Sequence, residues 1–408
     1  MTRTPGLFMV VHGNYPADPR VARETRAAVR AGFDVDVVAM REPGRPAKEQ
    51  VEGVAVHRLP ISRHRGGGRV RFLGEYVAFT GLAALQVARL ALRRRPAVVQ
   101  VHNPPDFLVA AALAPKALGS RVVLDIHDLS SDMFSMRLGD SRAAQVAQKL
   151  LEGVERLACR VADVVVTVHE PYREELARRG VDGDRILVVL NSLDEAPLPD
   201  ALPEPRRDPF RIAYHGTVTP HYGLSVVLEA FAMLPGRLSA VLQIVGSGDA
   251  VPELAARAEE LGVSDRVELT GAVPHGEVLQ RIAGASVGVI PNLPTRLNRF
   301  ALSTKLFEYV VLGIPAVVSD LPTLRRHFSG EEVVFFRAGD AEALADALTR
   351  VADDYDAALA RAAAARDRYR KSYDWDGQSR RYIQMLKLLA AGRSWAASAE
   401  PAGNSDGR

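Results

Sequence analysis

Residues 298–320, Asn-Arg-Phe-Ala-Leu-Ser-Thr-Lys-Leu-Phe-Glu-Tyr-Val-Val-Leu-Gly-Ile-Pro-Ala-Val-Val-Ser-Asp, place a cation and a carboxylate at the start of one helix. A polar loop opens that helix near Ser303. It runs through Lys305, Leu306 and Glu308, and Gly313-Ile314-Pro315 stops it ahead of a buried strand at 316–319. The first N–H groups of a helix have no partner inside it and carry partial positive charge, which suits a phosphate. The amides of 304–306 would supply them, and Lys305 adds a mobile cation. Glu308, about one turn further on, can reach past the phosphates to a ribose, which offers two hydroxyl donors. One short element can thus hold a nucleotide diphosphate.

Other reactive residues fall at the ends of expected strands. His127 ends the strand 122–126 and is followed by Asp128, a carboxylate able to orient its imidazole. His102-Asn103-Pro104-Pro105-Asp106 closes another strand. Asp106 reads there either as a cap on the next helix or as a base. Gly13-Asn14-Tyr15-Pro16-Ala17-Asp18-Pro19-Arg20 follows the first strand. Gly13 lets a ligand come close to the backbone, and Asp18 and Arg20 read equally as substrate contacts or as a structural pair. Gly216-Thr217 and Gly246-Ser247-Gly248 follow two later strands. The second lacks the third glycine of a dinucleotide fingerprint, since Val251 stands there, and reads as a tight turn near the nucleotide. Asp34-Val35-Asp36 has the spacing of a metal-binding pair but sits in an apparent buried strand, so no metal is expected.

These residues need two scaffolds. The 408 residues exceed the about 250–300 at which single cores stop growing. Short β-rich runs at 7–11, 35–38, 98–101, 122–126 and 164–168 alternate with helical segments at 21–31, 72–92 and 141–162, the pattern of βαβ units with parallel sheets. Five prolines between 195 and 209 interrupt it, and strands resume at 212–215, 240–245, 266–270, 287–290, 316–318 and 333–336. The expected organisation is an N-terminal domain over 1–194, a linker over 195–209 and a second domain over 210–370. A helix over 371–390, anchored by Trp375, would cross back, leaving a disordered tail over 391–408. Strand carboxyl ends then line a cleft between two Rossmann-like halves.

The single cysteine, Cys159, excludes an intrachain disulfide and fits a reducing cytoplasm. No signal-peptide pattern and no uncharged apolar run of about 20 residues is present. Nine arginines and one acidic residue, Glu75, lie between Arg58 and Arg95, ahead of and along an apolar helix with Phe72, Tyr76 and Phe79. That segment reads as a core helix with a solvated basic loop, or as a peripheral contact with an anionic membrane on its inner face. Nucleic acid is not expected, because the cluster lacks interleaved aromatics.

The 298–320 segment resembles the donor-site helix of glycosyltransferase family 4, the retaining enzymes with the GT-B fold. VVHGNYPADPRVARE at 10–24, VQVHNPPDFLV at 99–109, VVLDIHDL at 122–129 and ADVVVTVHEPYREEL at 162–176 are similar to that family's first half. RIAYHGTVTPHYGL at 211–224, LQIVGSGD at 242–249 and VELTGAVPHGEVLQRIAGASVGVIP at 267–291 are similar to its second. The resemblance covers residues 7–390 in the family's order. It implies an α/β GT-B fold, two facing Rossmann-like domains across a cleft, and transfer from a UDP- or GDP-linked sugar without metal or other cofactor. The acceptor would be a glycan, a lipid-linked glycan or a small secondary metabolite. His127 would touch the donor sugar near the reacting carbon, with Asp106 and Glu308 the other catalytic candidates. Gly13, Asn14, Asp128, Gly216, Thr217, Gly246, Gly248, Ser303, Thr304, Lys305, Leu306 and Glu308 would hold the donor. Asp18, Arg20, His102, Asp106 and Phe300 would meet the acceptor or sugar. The chain departs from the family at Thr217 and Tyr222, where many members carry an Arg and a Lys for the diphosphate, and at Phe300, where the motif has a glutamate. Those departures keep two alternatives open: a GT-B epimerase acting on a nucleotide sugar, and a non-catalytic nucleotide-sugar-binding scaffold.

Overall fold

The computed structural model describes residues 4–62, 69–132, 142–193, 207–296 and 298–395. The Gly66-Gly67-Gly68 turn of the basic loop, most of the expected linker and the tail from 396 onward lie outside the described residues. The chain forms two compact units, residues 1–191 with 376–408, and residues 192–375.

The first unit carries β1 (Gly6–Val11), β2 (Asp34–Met40), β3 (Lys48–Val51), β4 (Val54–Leu59), β5 (Val98–His102), β6 (Arg121–Ile126), β7 (Val164–Thr167) and β8 (Ile186–Val188). They form one sheet in the order β3-β4-β2-β1-β5-β6-β7-β8. All pairs are parallel except β3 with β4. Central strands are Val-rich and buried along their length because helices cover both faces. The β3–β4 hairpin was not expected from the sequence. Glu52 and Gly53 turn it with φ of 50° and 81°, and Val51 pairs with Val54, the two-residue loop that suits the twist of a hairpin.

The second unit carries β9 (Phe210–His215), β10 (Ala240–Val245), β11 (Val267–Gly271), β12 (Val287–Ile290), β13 (Ala316–Ser319) and β14 (Val334–Phe336), all parallel, in the order β11-β10-β9-β12-β13-β14. Ile212, Tyr214, Phe231, Leu242, Leu344 and Leu348 build its core.

Each sheet has a point where strand order reverses: between β1 and β5 in the first, and between β9 and β12 in the second. Ligands of open α/β sheets bind at the strand carboxyl ends beside such a point. The final helix, Trp375–Ala390, belongs to the first unit from Asp376 onward. There Tyr382 donates its hydroxyl proton to Gln100 Oε1 at 2.7 Å, and Leu190 N donates to Gln378 Oε1 at 3.1 Å.

Candidate functional site

In the first unit, a cavity of about 560 Å³ opens at the ends of β1, β5 and β6. His12, Gly13, Asn14 and Asp18 line one side, Asn103, His127 and Asp128 another, and Phe72 and Tyr76 of the helix Arg69–Arg94 a third. Beneath it lies a buried polar cluster. Asp125, on β6, is fully buried and takes Arg20 in a bidentate grip, Nη2 to Oδ1 at 2.7 Å and Nε to Oδ2 at 3.0 Å. Its Oδ2 also meets His102 Nδ1 and His127 Nε2, each at 3.0 Å. A carboxylate accepting from both rings places the neutral His127 proton on Nε2 and leaves Nδ1 as an acceptor. Burial pushes the Asp125 carboxyl up, but Arg20, His127 and His102 outweigh it and hold it well below the ordinary carboxylate range. Asp125 is therefore a fixed negative charge behind His127.

Several expectations change here. Asp125, not Asp128, orients His127. Asp128 instead lines the cavity, its carboxyl raised by burial and partly restored by His127 and Arg20. The signal for Asp125 was present in the sequence: a lone carboxylate in an apolar strand, two residues before the histidine and so on the same face. Arg20 is a buried strut, 3% exposed, that also reaches Val189 O at 3.2 Å. It does not pair with the Asp18 carboxylate through its guanidinium. Asp18 caps the helix Pro19–Arg30, accepting from the backbone N–H of Arg20 and Val21. His102 is wholly buried and off the cavity wall. Asp106 is buried as well. It accepts from Asn103 Nδ2 at 2.8 Å, does not line the cavity and caps no helix through its side chain. Burial raises its carboxyl, with Asn103 and Ser130 opposing. A base role for Asp106 thus lacks access to a substrate.

His102, Asp125 and His127 are close enough to embrace an ion, the one such group among the described residues. Arg20 already supplies the positive charge that an ion would bring to Asp125. Asp36 of the Asp-Val-Asp pair is buried against His57, at 2.7 Å, and Arg94, a structural ion cluster.

In the second unit, the loops after β9 and β10 close on each other, Gly216 N donating to Val245 O at 2.8 Å and Val218 N to Ser247 O at 3.0 Å. A Cβ on Gly246 would lie 1.8 Å from Gly216 O, and one on Gly248 1.9 Å from Val218 O. Both glycines are explained by this loop contact. Thr217 is exposed, and its carbonyl accepts from the Tyr214 hydroxyl at 2.7 Å.

The helix Thr304–Val311 begins beside these loops, with Ser303 at its N-cap making no side-chain cap bond. Leu306 is buried, and its N–H already donates to Ser303 O at 3.1 Å, which leaves the amides of 304 and 305 as the orphan donors. The Lys305 ammonium lies 4.3 Å from the ring centroid of Tyr222 and 5.0 Å from that of Tyr214. It makes no hydrogen bond or ion pair with a described residue. Burial lowers its pKa to about 8, with Glu308 opposing. Glu308 is nearly buried and its Oε2 meets His215 Nε2, while His215 Nδ1 lies 3.1 Å from the Tyr309 hydroxyl. His215 and Tyr214 were not singled out in the sequence, and Tyr222 only as a departure from the family pattern, because their roles depend on which strand end faces the helix. Phe300 is partly buried in the 3-10 turn Asn298–Phe300, its ring under the Arg299 guanidinium at 4.3 Å.

Two α/β units with mostly parallel sheets, each with polar residues at a switch point, form a two-domain α/β architecture. Residues 17–192 match the family described as "Glycosyl transferase 4-like domain", and residues 209–354 match "Glycosyl transferases group 1". The chain belongs to the glycosyltransferases built from these two domains, which have the GT-B fold. It is similar to glycogen synthase of Mycobacterium tuberculosis, 28% identical over 86% of this chain and 85% of that one. It is also similar to alpha-D-kanosaminyltransferase of Streptomyces kanamyceticus, 26% identical over 82% and 84%. Among solved structures, Anabaena HepE in complex with UDP and glucose superposes with a TM-score of 0.70 at 13% identity, covering 94% of this chain and 99% of that one.

Proposed function

We propose that the chain is a retaining, metal-independent glycosyltransferase that uses a UDP- or GDP-linked sugar. The observation that carries the donor reading is Lys305, a largely enclosed ammonium that makes no ion pair with a described residue, next to the amides of 304 and 305 at the helix start. An enclosed cation whose charge is not cancelled by an ion pair is costly, and an anionic ligand offsets that cost. A diphosphate matches the charge and the helix start, and Glu308 on the same helix is the proposed ribose contact. Structural likeness to a protein bound to UDP and glucose supports a nucleotide sugar as donor.

The first-unit cavity is the proposed acceptor and sugar pocket. Phe72 and Tyr76 offer apolar rings, and His127 Nδ1 and Asp128 offer acceptors for hydroxyls. Relatives named for glycogen and for an aminoglycoside sugar support a glycan or small-molecule acceptor. With no nucleophile in evidence, retention is assigned to departure and attack on one sugar face, the leaving diphosphate taking up the acceptor proton. The fixed Arg20–Asp125 pair supports independence from metal. Calorimetric titration with UDP and GDP, followed by assay of UDP-sugar hydrolysis without and with chelator, tests this reading. Saturable diphosphate binding and chelator-resistant turnover are expected. Absence of binding by either nucleotide overturns it, and binding without any turnover would favour the scaffold alternative.

A further inference from the structure

We propose that Tyr222, with Tyr214, is the positioning element of the donor-phosphate site: the two rings hold the Lys305 ammonium in place while leaving its charge uncancelled for the diphosphate. This rests on the nucleotide-sugar reading above. An aromatic face attracts a cation through its quadrupole and brings no negative charge of its own. A carboxylate at the same place would hold the lysine equally well but would cancel the charge that the ligand must meet.

The surroundings are built for this arrangement. Gly216, at φ +102°, passes directly under the lysine stem, and a Cβ there would lie 2.6 Å from Lys305 Cε. Tyr222 ends a fixed turn, Pro220–Tyr222, in which Tyr222 N donates to Thr219 O at 3.1 Å and Gly223 N to Pro220 O at 3.0 Å. Gly223, at φ +73°, passes so close to Pro291 that a Cβ would meet its carbonyl oxygen at 2.1 Å. Asn298 Nδ2 donates to His221 O at 2.7 Å, securing the turn from the other side. Tyr214 is anchored through its hydroxyl on Thr217 O. Both rings are thus set before any ligand arrives.

The titratable groups facing Lys305 are few. Glu308 lies on its own helix and is engaged by His215 at the end of β9; His221 lies in the turn, with Asp249 acting on it from the loop after β10. A lysine lowered to about 8 loses its charge as pH rises through that value, so diphosphate affinity is full below it and declines above.

The experiment is calorimetric titration of the full chain with UDP and with uridine between pH 6.5 and 9.5, for wild type, Tyr222→Phe and Tyr222→Leu. The Phe variant keeps the ring and should bind as wild type does. The Leu variant should lose UDP affinity about 3- to 30-fold, the range of a partly desolvated cation–π contact. Its uridine affinity should be unchanged, and its alkaline limb should move to lower pH. Wild-type UDP affinity in the Leu variant overturns the cage while leaving the donor site standing. Equal loss of UDP and uridine also overturns it, since the ring would then pack on the nucleoside. A wild type that binds neither UDP nor GDP overturns the donor reading and the cage together.

Discussion

At the residue scale the proposed chemistry divides between the two units. In the proposed reaction His127 would present Nδ1 to the substrate, since Asp125 holds Nε2, and Asp125 keeps its charge because Arg20 grips it. His127→Ala should therefore lower turnover by about 10²–10⁴-fold, the range for a positioned acid–base group, with UDP affinity nearly unchanged. Asp125→Asn should also lower turnover, since an amide cannot accept from both imidazoles and the guanidinium at once, and kcat measured against pH should shift where that of a merely loosened fold would not. Collapse of UDP binding in either variant would place the cluster elsewhere in the reaction. Glu308→Ala should weaken UDP binding by about 1.5–3 kcal/mol, as expected for a lost charged hydrogen-bond partner. Calorimetry giving wild-type affinity would remove Glu308 from the donor site.

At the element scale the sequence pattern revealed most of the scaffold. Strands of a parallel sheet read as short apolar runs, so eleven of the fourteen among the described residues were visible, with ends off by one or two residues. The β3–β4 hairpin was missed because Lys48–Val51 is a half-exposed edge strand with little apolar signal, and β8 because three residues give no period. Site residues at strand ends were legible from position, but long-range partners such as Asp125–Arg20 and Lys305–Tyr222 depend on strand order. Gly246 shows the difference: its sequence context reads as a ligand turn, whereas the structure shows two loops in backbone contact. Gly246→Ala should cost about 3 kcal/mol or more, at or above the upper end for overpacking, and should lower UDP affinity by displacing Gly216 beneath Lys305. A thermal midpoint equal to wild type would refute that contact. The helix Arg69–Arg94 buries Tyr76, Phe79 and Val87 yet exposes Leu73, Val77, Leu85 and Leu92, and the helix Arg142–Val161 exposes Val146, Leu150 and Leu157. No helix among the described residues is long and apolar enough to cross a membrane. With Arg71 and Arg93 exposed beside the first of these faces, sedimentation with anionic liposomes is expected at low salt and release at high salt, each nearby basic residue contributing about 1 kcal/mol. Absence from the pellet at low salt would leave these faces without a lipid role.

At the scale of the whole molecule, chain order and domain membership disagree, and the disagreement has a thermodynamic consequence. The last described helix is separated in sequence from the first unit by the entire second unit, yet it completes the first unit's core. Tyr382 is fully buried there, its hydroxyl on Gln100, whose Nε2 in turn donates to Glu24 at 2.7 Å. Glu24, fully buried and raised to about 8 by burial and by Asp125, with Arg20 opposing, lies 3.3 Å from Arg20. A chain of contacts therefore runs from the C-terminal helix through Gln100, Glu24 and Arg20 to Asp125 and His127. The proposed donor residues Lys305, Glu308 and Gly216 share no part of it. Tyr382→Ala should destabilise the first unit by about 3–5 kcal/mol, the cost of removing a large buried aromatic. The second unit has its own core and should be unaffected. In differential scanning calorimetry the variant's first-unit transition should fall, while the transition that UDP raises should stay in place, because a ligand stabilises only the unit that binds it. UDP affinity should be retained and turnover lost as the support under His127 loosens. A single transition that UDP raises in full, lowered as a whole by Tyr382→Ala, would instead mean that the two units unfold as one and that the donor site senses the C-terminal helix.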